Sequence, residues 1–146
     1  MYDLLHAYGD GSFVVSDRDQ ELLILMEFDR EVTVNAVTFH AQSWTIQSNR
    51  NFNISQPRRV CIFKTKDASL NFSDINRMTA DVSGECDAVL LERGHKVMCS
   101  LFNVRNLAIF VQTNQAGTVR SFLNAIVMEG SVQQTQIEYV IVSDVK

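Results

Sequence analysis

Two aspartates two residues apart, Asp17 and Asp19, are the clearest candidates for chemistry in this sequence of 146 residues. Carboxylate oxygens on a loop can bind a hard cation such as Ca²⁺, but an EF-hand loop needs further oxygen ligands and a glycine at fixed positions. Those residues are absent around this pair. The alternative is a turn in which Ser16 and the aspartates accept hydrogen bonds from local backbone N–H groups. We favour the turn and keep Asp17 and Asp19 as weak Ca²⁺ candidates.

His95 and Cys99 are the next candidates, because their spacing would place both on one face of a helix, where they could bind zinc. On a strand their Cα atoms would be about 13 Å apart, too far for one ion. The sequence also lacks the GxSxG, HExxH and phosphate-binding glycine motifs of common enzymes. We therefore expect no metal, no cofactor and no catalytic residue.

Residues 41–57, AQSWTIQSNRNFNISQP, are rich in Asn, Gln and Ser and contain the only Trp and the only Pro. This composition predicts a long loop between two strands, and long loops in compact domains are often functional. Trp44 could stack on a sugar ring or anchor a protein partner. It could equally be a core residue tucked under the loop, and the sequence leaves both alternatives open.

The elements that must position these residues are predicted to be strands. Ser16 and Asp19 have the spacing of a capping box, which would begin a helix in LLILMEF (22–28), and leucine favours a helix. Seven residues before Asp29 suit a strand better. Further strands are predicted at VTVNAVTFH (32–40), RRVCIFKT (58–65), KVMCSLF (96–102), NLAIFVQT (106–113), SFLNAIVMEG (121–130) and QIEYVIV (136–142).

Turn-forming residues separate these strands, and SDINRM (73–78) has the pattern of one helical turn capped by Ser73 or Asp74. Seven or eight short strands with little helical periodicity predict an all-β fold, an antiparallel β-sandwich. The turn-forming residues are Gly9, Gly11, Asp29, Gly94, Asn114 and Gly117.

The net charge and the cysteine content indicate which partners and which compartment to expect. A net charge of −4 and a pI near 5.3 argue against nucleic-acid binding and against binding to an anionic membrane. Three widely spaced cysteines argue against a disulfide framework and favour a reducing compartment. No signal peptide or membrane span is evident, so we expect an intracellular soluble domain.

Two segments, GSFVVSDRDQELLILMEFDREVTVNAVTF (11–39) and LFNVRNLAIFVQTNQAG (101–117), resemble the PITH domain family in their order and separation. This family is the proteasome-interacting module at the C-terminus of certain thioredoxin-like proteins and in stand-alone relatives. RRVCIFKTKDASLNFSDI (58–75) and FLNAIVMEG (122–130) resemble a middle strand and the last core strand of the family. The resemblance predicts a single PITH-like domain over residues 1–146, with the similarity strongest over 11–130 and a divergent strand or tail at 131–146.

The resemblance implies a β-sandwich of the jelly-roll, galactose-binding-domain-like kind that docks on the 26S proteasome, in the cytoplasm or the nucleus. It also implies that the module has no enzymatic activity, because thioredoxin chemistry in the family belongs to a separate CxxC domain. The rival hypothesis is a small-ligand or carbohydrate-binding jelly roll that uses Trp44.

In jelly rolls, loops at one end commonly carry recognition, by analogy. We therefore take as candidate partner- or ligand-binding groups the polar residues that flank the two most similar segments. They can equally be turn-stabilising residues. These candidates are Ser16, Asp17, Asp19, Asn114 and Gln115.

Overall fold

A computed structural model of the chain describes residues 2–3, 13–67, 69–117, 119–132, 135–136 and 141–145, and side chains over most of 13–131. Short helices interrupt a series of strands in these ranges: α1 is Ser43–Ser48, α2 is Phe72–Arg77 and α3 is Ala88–Leu91, with a 3-10 turn at Arg50–Phe52. The strands are β1 Tyr2–Asp3, β2 Val14–Val15, β3 Leu22–His40, β4 Ile54–Ser55, β5 Pro57–Thr65, β6 Val82–Glu85, β7 His95–Asn114, β8 Arg120–Leu123, β9 Ala125–Val132, β10 Thr135–Gln136 and β11 Ile141–Val145.

These strands form two sheets that pack against each other. The larger sheet has the order β1-β9-β3-β7-β5-β6, with β10 paired to β9 and β11 paired to β3, and all of its pairs are antiparallel. The smaller sheet has the order β2-β8-β4, in which β4 runs parallel to β8. The predicted all-β antiparallel sandwich is confirmed, while its assignment to the jelly-roll, galactose-binding-domain-like group stays a prediction.

The segment LLILMEF lies in β3 and is buried on both faces. Leu22 and Ile24 point into the larger core cluster, which includes β2, β4 and β8 of the smaller sheet. Leu23 and Leu25 point to the opposite face, into a second cluster that includes Ile75 of α2. Because side chains alternate along a strand, an unbroken apolar run fills both faces at once. The strand interpretation of this segment is confirmed, and the helix is excluded.

Two strands are much longer than predicted. Asp29 does not end a strand, because β3 continues through it and joins the two predicted strands on either side. Likewise β7 joins the predicted strands at 96–102 and 106–113. Irregular pairing accommodates the polar residues: the β3–β7 register shifts between Glu27 and Val32, and Ser100 and Asn103 have left-handed φ angles of 54° and 55°. A bulge lets an exposed polar stretch sit inside one strand without ending it.

The larger sheet also curves around the core. A Cβ atom built on Gly84 of β6 would lie 3.8 Å from Cγ2 of Val97, near the start of β7. Within the sheet, however, Gly84 pairs with Val60 of β5, and Val60 pairs with Val111 of β7. Val111 is fourteen positions after Val97 on the same strand. The edge strand β6 therefore faces the beginning of β7 across the core.

The prediction of a long loop at 41–57 was wrong, because α1, a 3-10 turn and β4 form there. Thr45 is buried, and its Oγ1 accepts a 2.9 Å hydrogen bond from Nδ2 of Asn124. Oδ1 of Asn124 in turn accepts the backbone N–H of Gln42 at 2.7 Å. Asn124 also separates β8 from β9, within the single strand predicted at 121–130. A buried asparagine between two strands distant in sequence thus organises a segment whose composition resembles a loop.

The helical turn predicted at 73–78 exists as α2, but Ser73 and Asp74 were the wrong caps. Asn71 is the N-cap, and its side chain accepts the backbone N–H of Asp74 at 2.9 Å. The Asp74 carboxylate accepts the N–H of Asn71 at 3.1 Å, which completes a capping box. The predicted strand at 136–142 lies partly outside the described residues, and the predicted turns at Gly9 and Gly11 lie wholly outside them.

Candidate interaction surface

The Ser16–Asp19 segment forms a structural turn. Ser16 is fully buried; its Oγ donates to the carbonyl of Asp19 and accepts the N–H of Ser121 at 3.0 Å. Its own N–H donates to the Ser121 carbonyl at 2.9 Å. The Asp19 carboxylate accepts the N–H of Glu21 at 2.9 Å, as in an Asx-turn. The hydrogen bonds of Ser16 and Asp19 therefore stabilise the turn before β3 and hold it against β8.

Asp17 is exposed beside a shallow depression of about 290 Å³ lined by Asp17, Arg18, Asp19, Glu21 and Phe72. Burial, with a smaller contribution from the charge of Asp19, raises the pKa of Glu21. Among the described residues, no group of three histidine, cysteine or acidic side chains is arranged to hold a metal ion.

His95 and Cys99 both lie on β7, so the helical spacing that a zinc pair would need is not present. The three cysteines are free, and none has the lowered pKa of a reactive thiol. Burial raises the pKa of Cys86 to about 12 and that of Cys99 to about 11. It also raises the pKa of Cys61, against the opposing charge of Arg59.

Asn114 and Gln115 are engaged by the backbone as well. Asn114 is buried; its Nδ2 donates to the carbonyl of Val119, and its Oδ1 accepts the N–H of Gly117 at 2.6 Å. Gln115 Nε2 donates to the carbonyl oxygens of Pro57 at 3.0 Å and Cys86 at 2.9 Å. These amides act as turn and loop braces.

The structure does bring the two predicted turns together. Oε1 of Gln20 accepts the N–H of Asn114 at 3.0 Å, and Oγ of Ser121 donates to the Gln20 carbonyl. The convergence was predictable because both segments flank neighbouring strands of the sheet. A role of these residues in binding a partner stays a prediction.

Trp44 is placed elsewhere and is exposed. It lies on α1 with 42% of its surface accessible, and its indole N–H donates to Oε1 of Gln42 at 2.8 Å. The hydrogen bonds that join the Ser16 and Asn114 turns do not include it. The alternative of a core tryptophan is therefore wrong, and a role of Trp44 in binding a sugar or a protein partner stays a prediction.

Sequence reasoning missed the exposed apolar residues of α3. Val89 is 78% exposed and Leu90 is 50% exposed, although both belong to an ordered helical turn. The Asp87 carboxylate accepts the N–H groups of Val89 at 2.8 Å and Leu90 at 3.3 Å, and Leu91 is buried. The signal was present in DAVLLERG (87–94), an N-cap aspartate and a terminal glycine around an apolar turn.

Helices α1 and α3 are joined at one end of the sandwich. The N–H of Ala41 donates to the carbonyl of Leu91 at 3.0 Å, two residues before α1 begins. The N–H of Ser43, in the first turn of α1, donates to Oε1 of Glu92 at 2.8 Å. This junction places three exposed apolar side chains at the same end, which we call the end surface: Trp44, Val89 and Leu90.

A model of the PITH domain family matches residues 4–146. The chain belongs to the PITH domain family. The match includes both segments in which the resemblance was first visible and also residues 131–146. No curated protein matches the chain. Membership makes this PITH domain a protein-interaction module of the PITH type, and no helix within its described ranges is long and apolar enough to cross a membrane.

Proposed function

We propose that this PITH domain is a non-catalytic module that binds the 26S proteasome in the cytoplasm or nucleus. The family match over residues 4–146 carries the proposal, because docking on the proteasome is what the family resemblance implies. A rigid sandwich with short, well-bonded turns suits this role, since little conformational entropy is lost when such a surface binds.

The hydrogen bonds of the polar side chains and the protonation of the thiols support a non-catalytic role. Ser16 donates to a backbone carbonyl rather than to a base, and Asn114 and Gln115 are occupied by backbone partners. The raised pKa values of Cys86 and Cys99 keep both thiols protonated at neutral pH, where only a thiolate would be nucleophilic.

The carbohydrate hypothesis draws on the exposed ring of Trp44. Sugar recognition also needs polar groups beside the ring that are free to bind hydroxyls. Two polar groups at this end are already engaged: Gln42 Oε1 accepts the indole N–H, and Glu92 Oε1 accepts the N–H of Ser43. The neighbouring Val89 and Leu90 fit a protein partner better. A glycan array separates the two, because sugar binding that Trp44→Ala abolishes would favour the rival.

Affinity capture tests the proposal directly. The tagged chain is incubated with cell lysate, and subunits of the proteasome regulatory particle are quantified by mass spectrometry. An unrelated β-sandwich of similar size and charge serves as the control. We expect enrichment of regulatory-particle subunits over the control, and the proposal fails if the two recoveries are equal.

A further inference from the structure

We infer that the end surface is the face with which this domain docks, and that it accepts a protein segment carrying apolar side chains next to carboxylates. The inference rests on the proposed function and adds to it the contact surface and the chemistry of the partner. Three features of the described structure support it: fixed geometry, apolar exposure and the charge around the surface.

The geometry of α3 is fixed at both ends. At the start, the Asp87 carboxylate caps the turn and the Asp87 N–H donates to Nδ1 of His95 at 3.3 Å. At the end, the carbonyl of Leu90 accepts the N–H of Gly94 at 2.7 Å, and Gly94 has a φ of 121° that favours glycine. Val89 and Leu90 are thus presented on an ordered frame, which lowers the entropy lost on binding.

The exposed apolar side chains of this turn do not contribute to the hydrophobic core. The core needs Leu91, which is fully buried, but Val89 and Leu90 project outward beside it. Trp44 is in the adjoining helix, and tryptophan is enriched among the residues that dominate binding energy at protein interfaces. Two neighbouring exposed aliphatic residues, with an exposed tryptophan in the helix that is hydrogen-bonded to the end of their turn, are the pattern of a contact centre rather than of scattered surface residues.

Two exposed arginines lie near α3. Arg93 follows Val89 by four positions through a residue with helical angles, Glu92 at φ −64° and ψ −34°, so Val89 and Arg93 share one face. Arg58 lies beside the N-cap of α3, because its carbonyl accepts the N–H of Cys86 at 2.6 Å. Both arginines are exposed, and among the described side chains no carboxylate lies within 4.0 Å of either.

Three carboxylates lie near α3, and two of them accept backbone hydrogen bonds. Asp87 accepts two N–H groups of α3, and Glu92 Oε1 accepts the N–H of Ser43. The third, Glu85, is exposed at the end of β6. The chain as a whole carries a net charge of −4, so an end at which two arginines are exposed, with no described carboxylate within 4.0 Å of either, is complementary to an acidic partner.

A second pair of exposed apolar residues, Met98 and Phe102 on β7, provides a matched control. Each is 64% exposed, as open as the residues of the end surface. They are separated by the left-handed residue Ser100, and the neighbouring Lys96 pairs with Glu129 at 3.0 Å. They are therefore two isolated exposed side chains, and we assign them no role in docking.

The test measures binding of the full chain to purified 26S proteasome by biolayer interferometry. The double variant Val89→Asp/Leu90→Asp is expected to bind about tenfold more weakly than the wild type, or worse, because two apolar contacts become charges facing acids. The control variants Met98→Asp and Phe102→Asp are expected to bind like the wild type. Urea midpoints of all variants confirm that each is folded.

Arg93→Glu tests the chemistry of the partner. Reversal of an exposed charge is expected to weaken binding and to make the affinity less sensitive to added NaCl, because screening then removes less attraction. A photo-crosslinking amino acid at position 89 identifies the partner segment. We expect a peptide with Asp or Glu next to apolar residues, and no crosslink from position 98.

Each outcome has one meaning. If the wild-type chain does not bind, the proposed function is wrong and this inference falls with it. If the wild type binds and the Val89/Leu90 variant binds as tightly, the proteasome role stands and the end surface is wrong. If that variant loses binding while Arg93→Glu does not, or a crosslinked segment lacks carboxylates, the acidic partner is wrong.

Discussion

The backbone N–H of Asp87 donates to Nδ1 of His95 at 3.3 Å, and this hydrogen bond ties the N-cap of α3 to the start of β7. The Asp87 carboxylate meanwhile caps the turn through the N–H groups of Val89 and Leu90. One aspartate therefore joins the exposed turn to the rigid sheet. The presentation of the end surface depends on this residue.

Asp87→Ala is expected to lower the free energy of unfolding by about 1 kcal/mol, the usual cost of losing an N-cap. Asp87→Asn keeps a side-chain oxygen acceptor and should lose much less. Urea denaturation followed by circular dichroism measures both. Equal stability of the alanine variant and the wild type would show that the cap does not hold α3.

Ser16→Ala removes a buried hydroxyl that accepts the N–H of Ser121 and donates to the Asp19 carbonyl. The buried N–H is left without that acceptor, so we expect a loss of about 1–3 kcal/mol in unfolding free energy. Asp17→Ala, one residue away and exposed, should change stability by less than about 0.5 kcal/mol. Similar effects of the two substitutions would contradict the structural role of Ser16.

Ile24→Ala and Leu25→Ala test the two-faced burial of β3. Ile24 belongs to the core between the sheets and Leu25 to the cluster under α2, and both are buried. Each alanine variant should lose about 2–5 kcal/mol, because each leaves a cavity. Glu27→Ala, exposed on the same strand, is the control. A strand buried on one face would give a large loss for only one of the two core variants.

The cysteines should be unreactive in the folded chain. Burial raises the pKa of Cys86 to about 12 and that of Cys99 to about 11, so thiolate is scarce at pH 8. Alkylation by iodoacetamide, measured by mass spectrometry, is expected to be slow when folded and fast in urea. Rapid labelling of Cys86 without denaturant would contradict its buried state.

The same pKa values predict how stability depends on pH. An unfolded thiol ionises near 9.0, whereas the folded Cys86 thiol stays protonated to about 12. This contribution to stability is fully present below pH 9 and is lost as pH rises from about 9 toward 12, because the unfolded chain releases its proton first. Cys86→Ala should weaken this alkaline decline, as measured by unfolding at several pH values.

Periodicity in the sequence predicted the strand LLILMEF correctly, because a run buried on both faces leaves an unmistakable apolar signature. It misplaced strand ends, since Asp29 is a turn former that a bulge accommodates inside β3. Local composition cannot show that a register shift will absorb a polar stretch. The long strands therefore appeared as pairs of short ones.

The α1 segment was missed for a different reason. Its order comes from Asn124, which is distant in sequence and bonds Thr45 and the N–H of Gln42. Within the candidate site, the turns around Ser16 and Asn114 could be predicted from the sequence, because each flanks a predicted strand. The end surface could not, because the junction of α1 with α3 depends on hydrogen bonds between residues about fifty positions apart, such as Ser43 with Glu92.

Direct binding of the full chain to purified 26S proteasome tests the central claim most directly. We predict saturable binding that untagged chain displaces and that an unrelated β-sandwich of similar charge does not. Binding that fails to saturate, or that the unrelated protein displaces equally well, would contradict the assignment of this PITH domain as a proteasome-binding module.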